Sequence, residues 1–229
     1  MRPEFQVLTF DCYGTLIDWR GGISGAFAAL GATLGQPIDR DQILDLHARI
    51  EPEVQAEEFR SYREVLDRVA MRVAAELGFE IPDDRRHFLS ESLPHWQPFA
   101  DTGSALEKLR GAGYRLGILS NVDDDLLAGT LKHFPVEFDL LVTAQQVGSY
   151  KPALGHFRQA RRRIDEATWL HVAQSFFHDV QPAVAMQVPV VWINRLREEP
   201  YSQARPLAVF ADMGSFADRA ARDGGLAGS

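Results

Sequence analysis

Asp11, Ser120, Lys151 and Asp179 are the side chains in this sequence whose types and placement could do chemistry together. Each stands at, or a few residues beyond, the end of a short apolar run. Asp11 ends VLTF, Ser120 and Asn121 end RLGIL, Lys151 follows FDLLV through TAQQVGSY, and Ser175 and Asp179 follow WLHVA. Carboxylates serve as nucleophiles, as bases or as ligands for a hard cation, and an ammonium beside them holds negative charge. Each residue also has a structural reading. Asp11 and Asp179 suit helix or turn caps, Ser120 suits a cap of the helix that follows, and Lys151 before Pro152 suits an exposed loop. Asp123, Asp124 and Asp125 read as helix-start residues, favoured by the positive end of the helix dipole. The joint placement at successive run ends is what favours the chemical reading.

Runs of this kind read as strands buried on both faces. They are Val7–Phe10, Arg115–Leu119, Phe138–Val142, Trp169–Ala173 and Val188–Ile193. Helical spacing separates them over Thr102–Leu109, Asp123–Phe134 and Ala153–Ile164. Alternation of strand and helix implies a parallel α/β sheet, and ligands in such sheets bind beyond the carboxyl ends of the strands. Residues 20–98 show no convincing strand. Tyr62, Leu66, Val69 and Val73 form a helical stripe there, read as core because an amphipathic helix must bury that face. The expected organisation is a Rossmann-like core of residues 1–18 and 99–229, with an inserted all-helical cap over 19–98. The tail RDGGLAGS reads as frayed.

The bulk numbers bound the function. The chain has 229 residues, with 45% hydrophobic and 24% charged, which suits a globular enzyme-sized domain. A formal charge of −8 argues against nucleic acid as a partner, since that binding needs a basic face, but leaves room for a small anionic substrate. The single cysteine, Cys12, excludes an internal disulfide and a CxxC metal site. MRPEFQVLTFD lacks a signal-peptide core, and no run approaches the roughly 18 apolar residues of a membrane span. A cytoplasmic location with no membrane partner is the expectation. The seven histidines form no HExxH, and there is no GxSxG, GxGxxG or P-loop. Cys12 alternates to the strand face opposite Asp11 and reads as packing rather than as a nucleophile.

With these residues in hand, the sequence resembles the haloacid dehalogenase superfamily over essentially its whole length. DCYGTL (Asp11–Leu16) matches the nucleophile motif, Ser120 the second motif, Lys151-Pro152 the third and AQSFFHD (Ala173–Asp179) the fourth. Phosphatases of that superfamily carry a general acid two residues after the nucleophile and a magnesium-binding Asp at the start of the fourth motif. Here those positions are Tyr13 and Gln174. Tyr13 makes DCYGTLIDW similar to the D-x-Y-G-T-L signature of the 2-haloacid dehalogenases, which use no metal.

The resemblance implies a metal-independent hydrolysis through an ester on Asp11, with no cofactor. Asp11, Thr15, Lys151, Ser175 and Asp179 form the implied catalytic set. Cys12, Tyr13, Ser120, Asn121 and the cap residue Arg49 form the implied substrate-binding set. Lys151 is expected to keep Asp11 ionised by lowering its pKa. Ser120 with backbone N–H groups would hold the substrate carboxylate, and Asn121 would receive the halide. Arg60 and Arg63 are further cap arginines that could grip halide, each with a solvated helix surface as its alternative.

Phe157 stands where members carry a Tyr, and Phe176 where they carry an Asn. Trp19 reads equally as a pocket wall or as packing. The other readings are a phosphatase of the same fold with a weakened Mg²⁺ site on Asp11 and Asp179, and a non-catalytic binding protein. Apolar stripes on the cap helices suit a homodimer.

Overall fold

The architecture is that of a computed structural model, which describes residues 4–164 and 168–223. Six parallel strands form one sheet in the order β3-β2-β1-β4-β5-β6. They are β1 Val7–Phe10, β2 Arg115–Ser120, β3 Leu140–Thr143, β4 Trp169–Ala173, β5 Val190–Ile193 and β6 Ala208–Phe210. Every residue of β1, β4 and β5 is buried, as strands covered on both faces require. The chain builds outward from β1 in one direction through β2 and β3, then returns to its other side with β4. The order reverses beside β1, and it is beyond the carboxyl ends of strands at such a reversal that open sheets of this kind take their ligands.

The helices are α1 Trp19–Leu34, α2 Arg40–Glu57, α3 Tyr62–Glu76, α4 Phe88–Ser92, α5 Thr102–Gly111, α6 Asp124–Thr130, α7 Ala144–Val147, α8 Gly155–Ile164, α9 Gln181–Ala185 and α10 Met213–Asp223. One π-helical turn, Phe176–Val180, joins β4 to α9. On one side of the sheet Phe157, Ala160 and Ile164 of α8 join Val7, Leu119, Val142, Trp169 and Trp192 in a single apolar cluster.

Two compact units divide the chain. The sheet unit takes the chain up to Ile17, then Pro98–Asn121, then Lys132 onward, and the helical unit takes Asp18–Gln97 with Val122–Leu131. The second segment of the helical unit departs from the expected boundaries, which leave 99–229 wholly in the core. Its cause is local. Asp123 does not cap its own helix, α6, through its side chain. Its carboxylate instead accepts from the backbone N–H groups of Tyr62 (2.8 Å) and Arg63 (2.9 Å), donors in the first turn of α3 that have no acceptor within the helix. The Cβ that Gly129 lacks would lie 2.6 Å from Pro94, so α6 also needs a glycine to pack here.

Within the helical unit, α1, α2 and α3 start on Asp18, Asp39 and Ser61, each accepting from a backbone N–H in the first turn. The stripe Tyr62, Leu66, Val69 and Val73 is buried, each side chain contributing about 1.5–3 kcal/mol by leaving water. Gly22 of α1 lies flat against Trp96, where an added Cβ would sit 2.3 Å from the indole.

Some sequence boundaries shift. Phe138 and Asp139 are not part of β3, because Asp139 accepts from the backbone N–H of Leu116 and from Arg110 at the strand's entrance. α5 runs on through Gly111, two residues past the expected Leu109. Sequence reasoning missed β6 and α10. β6 is three residues long with Val209 53% exposed, too short and too wet to show as an apolar run. Among the described residues no helix is long and apolar enough to cross a membrane.

Candidate active site

Asp11 continues β1 past its last paired residue, its N–H donating to the Val172 carbonyl of β4. The chain then turns sharply. Gly14 adopts φ of 102°, a region that side-chain-bearing residues rarely enter, and its N–H donates to Ile17 O. The turn brings Thr15 back beneath Asp11. Thr15 Oγ1 donates to Asp11 Oδ2 at 2.9 Å and accepts from the Gln174 backbone N–H at 2.9 Å, so one hydroxyl links β1 to the end of β4. Arg195, beyond β5, pins the turn from outside. It donates to Thr15 O and to Asp101, and stacks 4.0 Å from the Phe99 ring centroid. Sequence reasoning missed Arg195, because a loop arginine carries no motif.

Lys151 is 2% exposed. Its ammonium uses all three protons on the protein, on Asp11 Oδ1 at 2.9 Å, Asp179 Oδ1 at 2.6 Å and Leu119 O at 2.9 Å. Asn121 fixes the lysine's backbone by a two-point clasp, accepting from its N–H at 2.7 Å and donating to its carbonyl at 3.1 Å. That is a different task from the halide contact expected of Asn121. Ser175 also differs. Its Oγ accepts from the His178 N–H at 3.0 Å and bonds the His178 ring, which caps the π turn carrying Asp179. It shapes the turn, its carbonyl accepting from the Asp179 N–H at 3.2 Å.

The charges partition unevenly. Burial raises the pKa of Asp11, and the attraction of Lys151 with the hydrogen bonds from Lys151 and Thr15 does not offset it, while the charge of Asp179 adds to the rise. For Asp179 burial acts in the same direction, but Lys151 and His171 overcome it and bring its pKa down to about 2. Burial would lower Lys151, yet the two carboxylates raise it above its ordinary value. Lys151 thus lowers the pKa of Asp11 as expected, but burial outweighs it and the net shift is upward. The ammonium is shared, and its shorter bond goes to the deeper carboxylate. Cys12 is fully buried, and burial followed by the charge of Asp11 raises its thiol well above the ordinary value, so it packs and does not attack.

Ser120 stands at the last residue of β2. Its Oγ is buried and makes no hydrogen bond within the protein, while its carbonyl pairs with His156 Nε2 at 3.0 Å. Tyr13 is half-buried in the turn and forms an isolated bridge with Ile17. Phe176 packs in the apolar cluster, edge-on to Trp192. His171, beneath the site on β4, is a residue that sequence reasoning passed over because it lies inside an apolar run.

The cap arginines are engaged within the helical unit. Arg49 is exposed and paired with Glu76, the solvated-surface alternative rather than a free cation for a substrate. Arg60 meets Glu57, Glu58 and Glu64, and Arg63 meets Asp125. Trp19 opens α1 with its ring 5.7 Å from that of buried His47.

The donor set does not suit Mg²⁺. Positions 13 and 174 supply a phenol and an amide, and the ammonium of Lys151 lies between the carboxylates that a cation would bridge. Among the described residues no group of three His, Cys, Asp or Glu side chains could hold a metal ion.

Comparison with known proteins identifies the family. The family model for haloacid dehalogenase-like hydrolases matches residues 5–186. An (S)-2-haloacid dehalogenase of Pseudomonas putida is 25% identical over 199 residues, covering 84% of this chain and 86% of its own length. One from Pseudomonas fluorescens is 30% identical over 123 residues, covering 52% and 54%. The L-2-haloacid dehalogenase of Xanthobacter autotrophicus, solved with chloropropionic acid covalently bound, superposes with a TM-score of 0.81 at 19% identity, covering 96% of this chain and 99% of its own. The chain belongs to the haloacid dehalogenase-like hydrolase family.

Proposed function

We propose that the protein hydrolyses the carbon–halogen bond of small 2-haloacids without a metal ion, through an ester on Asp11. One observation carries the reading. A lysine ammonium, hydrogen-bonded to Asp11 and Asp179 and shielded from water, provides the positive charge that a metal would otherwise bring. The names of the relatives from P. putida and P. fluorescens support the substrate class.

Ionised Asp11, oriented by Thr15 and Lys151, attacks the carbon bearing the halogen. A carbon–oxygen bond forms as the carbon–halogen bond breaks, and the halide leaves with the bonding pair. It needs no proton, which is consistent with Tyr13 in place of a general acid. Ser120 Oγ, buried and without a partner, is suited to the substrate carboxylate. Water then adds to the Asp11 side-chain carbonyl. The acyl–oxygen bond breaks, one proton of the water goes to the departing 2-hydroxy acid and the other to solvent, and Asp11 regains its carboxylate with one oxygen from water. Asp179 positions Lys151 throughout. Dividing the displacement into two steps lowers the barrier to each.

The test is halide release from (S)-2-chloropropionate and from haloacetates in the presence of EDTA, followed by single turnover in heavy-oxygen water. The expected results are EDTA-insensitive halide release and heavy oxygen in the Asp11 carboxylate. Mg²⁺-dependent release of phosphate from p-nitrophenyl phosphate, with no halide release, would replace this reading with the phosphatase. Silence in both assays would favour a binding protein.

A further inference from the structure

We infer that His171 is a positioning residue for the site, held in one tautomer by Thr9 and Trp169 so that its Nε2–H steadies Asp179 and leaves Lys151 available to Asp11. The inference rests on the dehalogenase reading for its kinetic consequence, and on hydrogen-bond chemistry alone for the tautomer.

Thr9 of β1 and His171 of β4 are register partners on neighbouring strands, and both are fully buried. Three contacts run in line: Trp169 Nε1 to Thr9 Oγ1 at 2.7 Å, Thr9 Oγ1 to His171 Nδ1 at 2.9 Å, and His171 Nε2 to Asp179 Oδ1 at 3.0 Å. An indole N–H can only donate, so Thr9 Oγ1 accepts from Trp169. Its own proton is then free to go to His171 Nδ1. An ionised carboxylate can only accept, so the nitrogen facing Asp179 must carry a proton. The neutral imidazole with hydrogen on Nε2 satisfies every group in the chain. The opposite tautomer sets a lone pair against a carboxylate oxygen and strands the threonine proton in a dry interior, a cost typical of unpaired buried groups. Phe157 packs edge-on to the imidazole at 5.1 Å between ring centroids and holds its plane.

The need for such a donor follows from the contacts around Asp179. Its Oδ2 is buried and makes no hydrogen bond within the protein, and Oδ1 receives Lys151 and His171. Without His171 the deep carboxylate would be balanced by Lys151 alone, drawing the ammonium away from the nucleophile. The charged and titratable groups facing this network are Asp11 and Cys12 after β1, Lys151, Asp179 on the π turn and His156 on α8, whose pKa burial and Lys151 depress to about 3. Neutral His156 adds no charge at working pH.

The experiment uses the full-length protein. His171→Leu removes the donor, His171→Gln replaces it with an amide N–H, Thr9→Val unlocks the tautomer and Thr9→Ser keeps the hydroxyl. Loss of a hydrogen bond to a charged group should move the acid limb of the kcat/KM profile for halide release upward by about one to two pH units in His171→Leu. Thr9→Val should move it in the same direction, and His171→Gln and Thr9→Ser should return it towards the wild-type position. Imidazole nitrogen NMR of the wild type should show hydrogen on Nε2 of His171 and none on Nδ1, with the preference weakened in Thr9→Val, where Asp179 alone still requires the Nε2 proton. Hydrogen on Nδ1, or an unmoved acid limb in a folded His171→Leu, overturns the inference. If the wild type releases no halide, the dehalogenase reading fails while the NMR result still decides the tautomer. If His171→Leu does not fold, the Thr9 pair and the NMR spectra carry the decision.

Discussion

Replacing Lys151 by Met tests the electrostatic core of the site most directly. Met keeps most of the stem's bulk and removes the ammonium. Three hydrogen bonds are lost, to Asp11, Asp179 and Leu119, and the two carboxylates keep no cationic partner. Both are nearly inaccessible to water, so solvent does not compensate. Breaking a buried pair by removing one member costs about 3–5 kcal/mol. For a chain of this size that is a fall in Tm of roughly 6–20 °C near neutral pH. The pH dependence supplies a second signature. In the wild type, the depressed pKa of Asp179 gives stability that is present above the unfolded carboxylate value and is lost as pH falls through about 2. In the variant, burial without the ammonium raises both carboxylates. The native state then takes up protons before the unfolded chain does, and its stability recovers as pH falls from neutral towards the carboxylate range. Urea denaturation of both proteins across that range measures the penalty directly. A neutral-pH loss below about 1 kcal/mol, or a penalty that widens on acidification, would refute the shared-ammonium account.

Because the pKa of Asp11 is raised and its anion is the attacking form, kcat/KM for halide release should fall on acidification with a midpoint above the ordinary 3.8; a midpoint at or below that value in a pH–rate profile would contradict the charge partition. Arg49→Ala should change stability by less than about 0.5 kcal/mol and leave KM within about twofold, since its pair with Glu76 is exposed. A tenfold rise in KM would reinstate Arg49 as a substrate contact. Asp123→Ala should destabilise the protein by about 1–2 kcal/mol in chemical denaturation, through the backbone donors of Tyr62 and Arg63 that lose their acceptor.

Strands in the middle of the sheet were legible because their side chains are buried on both faces, leaving unbroken apolar runs. Asp11, Ser120, Lys151 and Asp179 were legible for a related reason, since each interrupts or follows such a run. Contacts that depend on three dimensions were not. Asp123 looks like a cap for the helix it precedes, and serves one that lies some sixty positions earlier in the chain. His171 sits within WLHVA, where its imidazole reads as one more buried residue until the register with Thr9 is known. Arg49 was unreadable for the opposite reason, because a helix-surface arginine looks the same whether it grips a ligand or a neighbouring carboxylate. The direction of the Asp11 shift also lay beyond sequence, since it depends first on how deeply the carboxylate is buried and then on an ammonium shared between two acids.

The ownership of Val122–Leu131 by the helical unit has a practical bearing on modularity. The chain crosses between units four times, at 17/18, 97/98, 121/122 and 131/132, so the helical part is not a cassette that can be lifted out at one pair of joints. A chimaera made by exchanging residues 18–97 alone would leave the donor's third long helix without the acid that starts it, and would orphan the recipient's short helix. Exchanging the helical part between relatives of this kind therefore calls for both pieces to travel together.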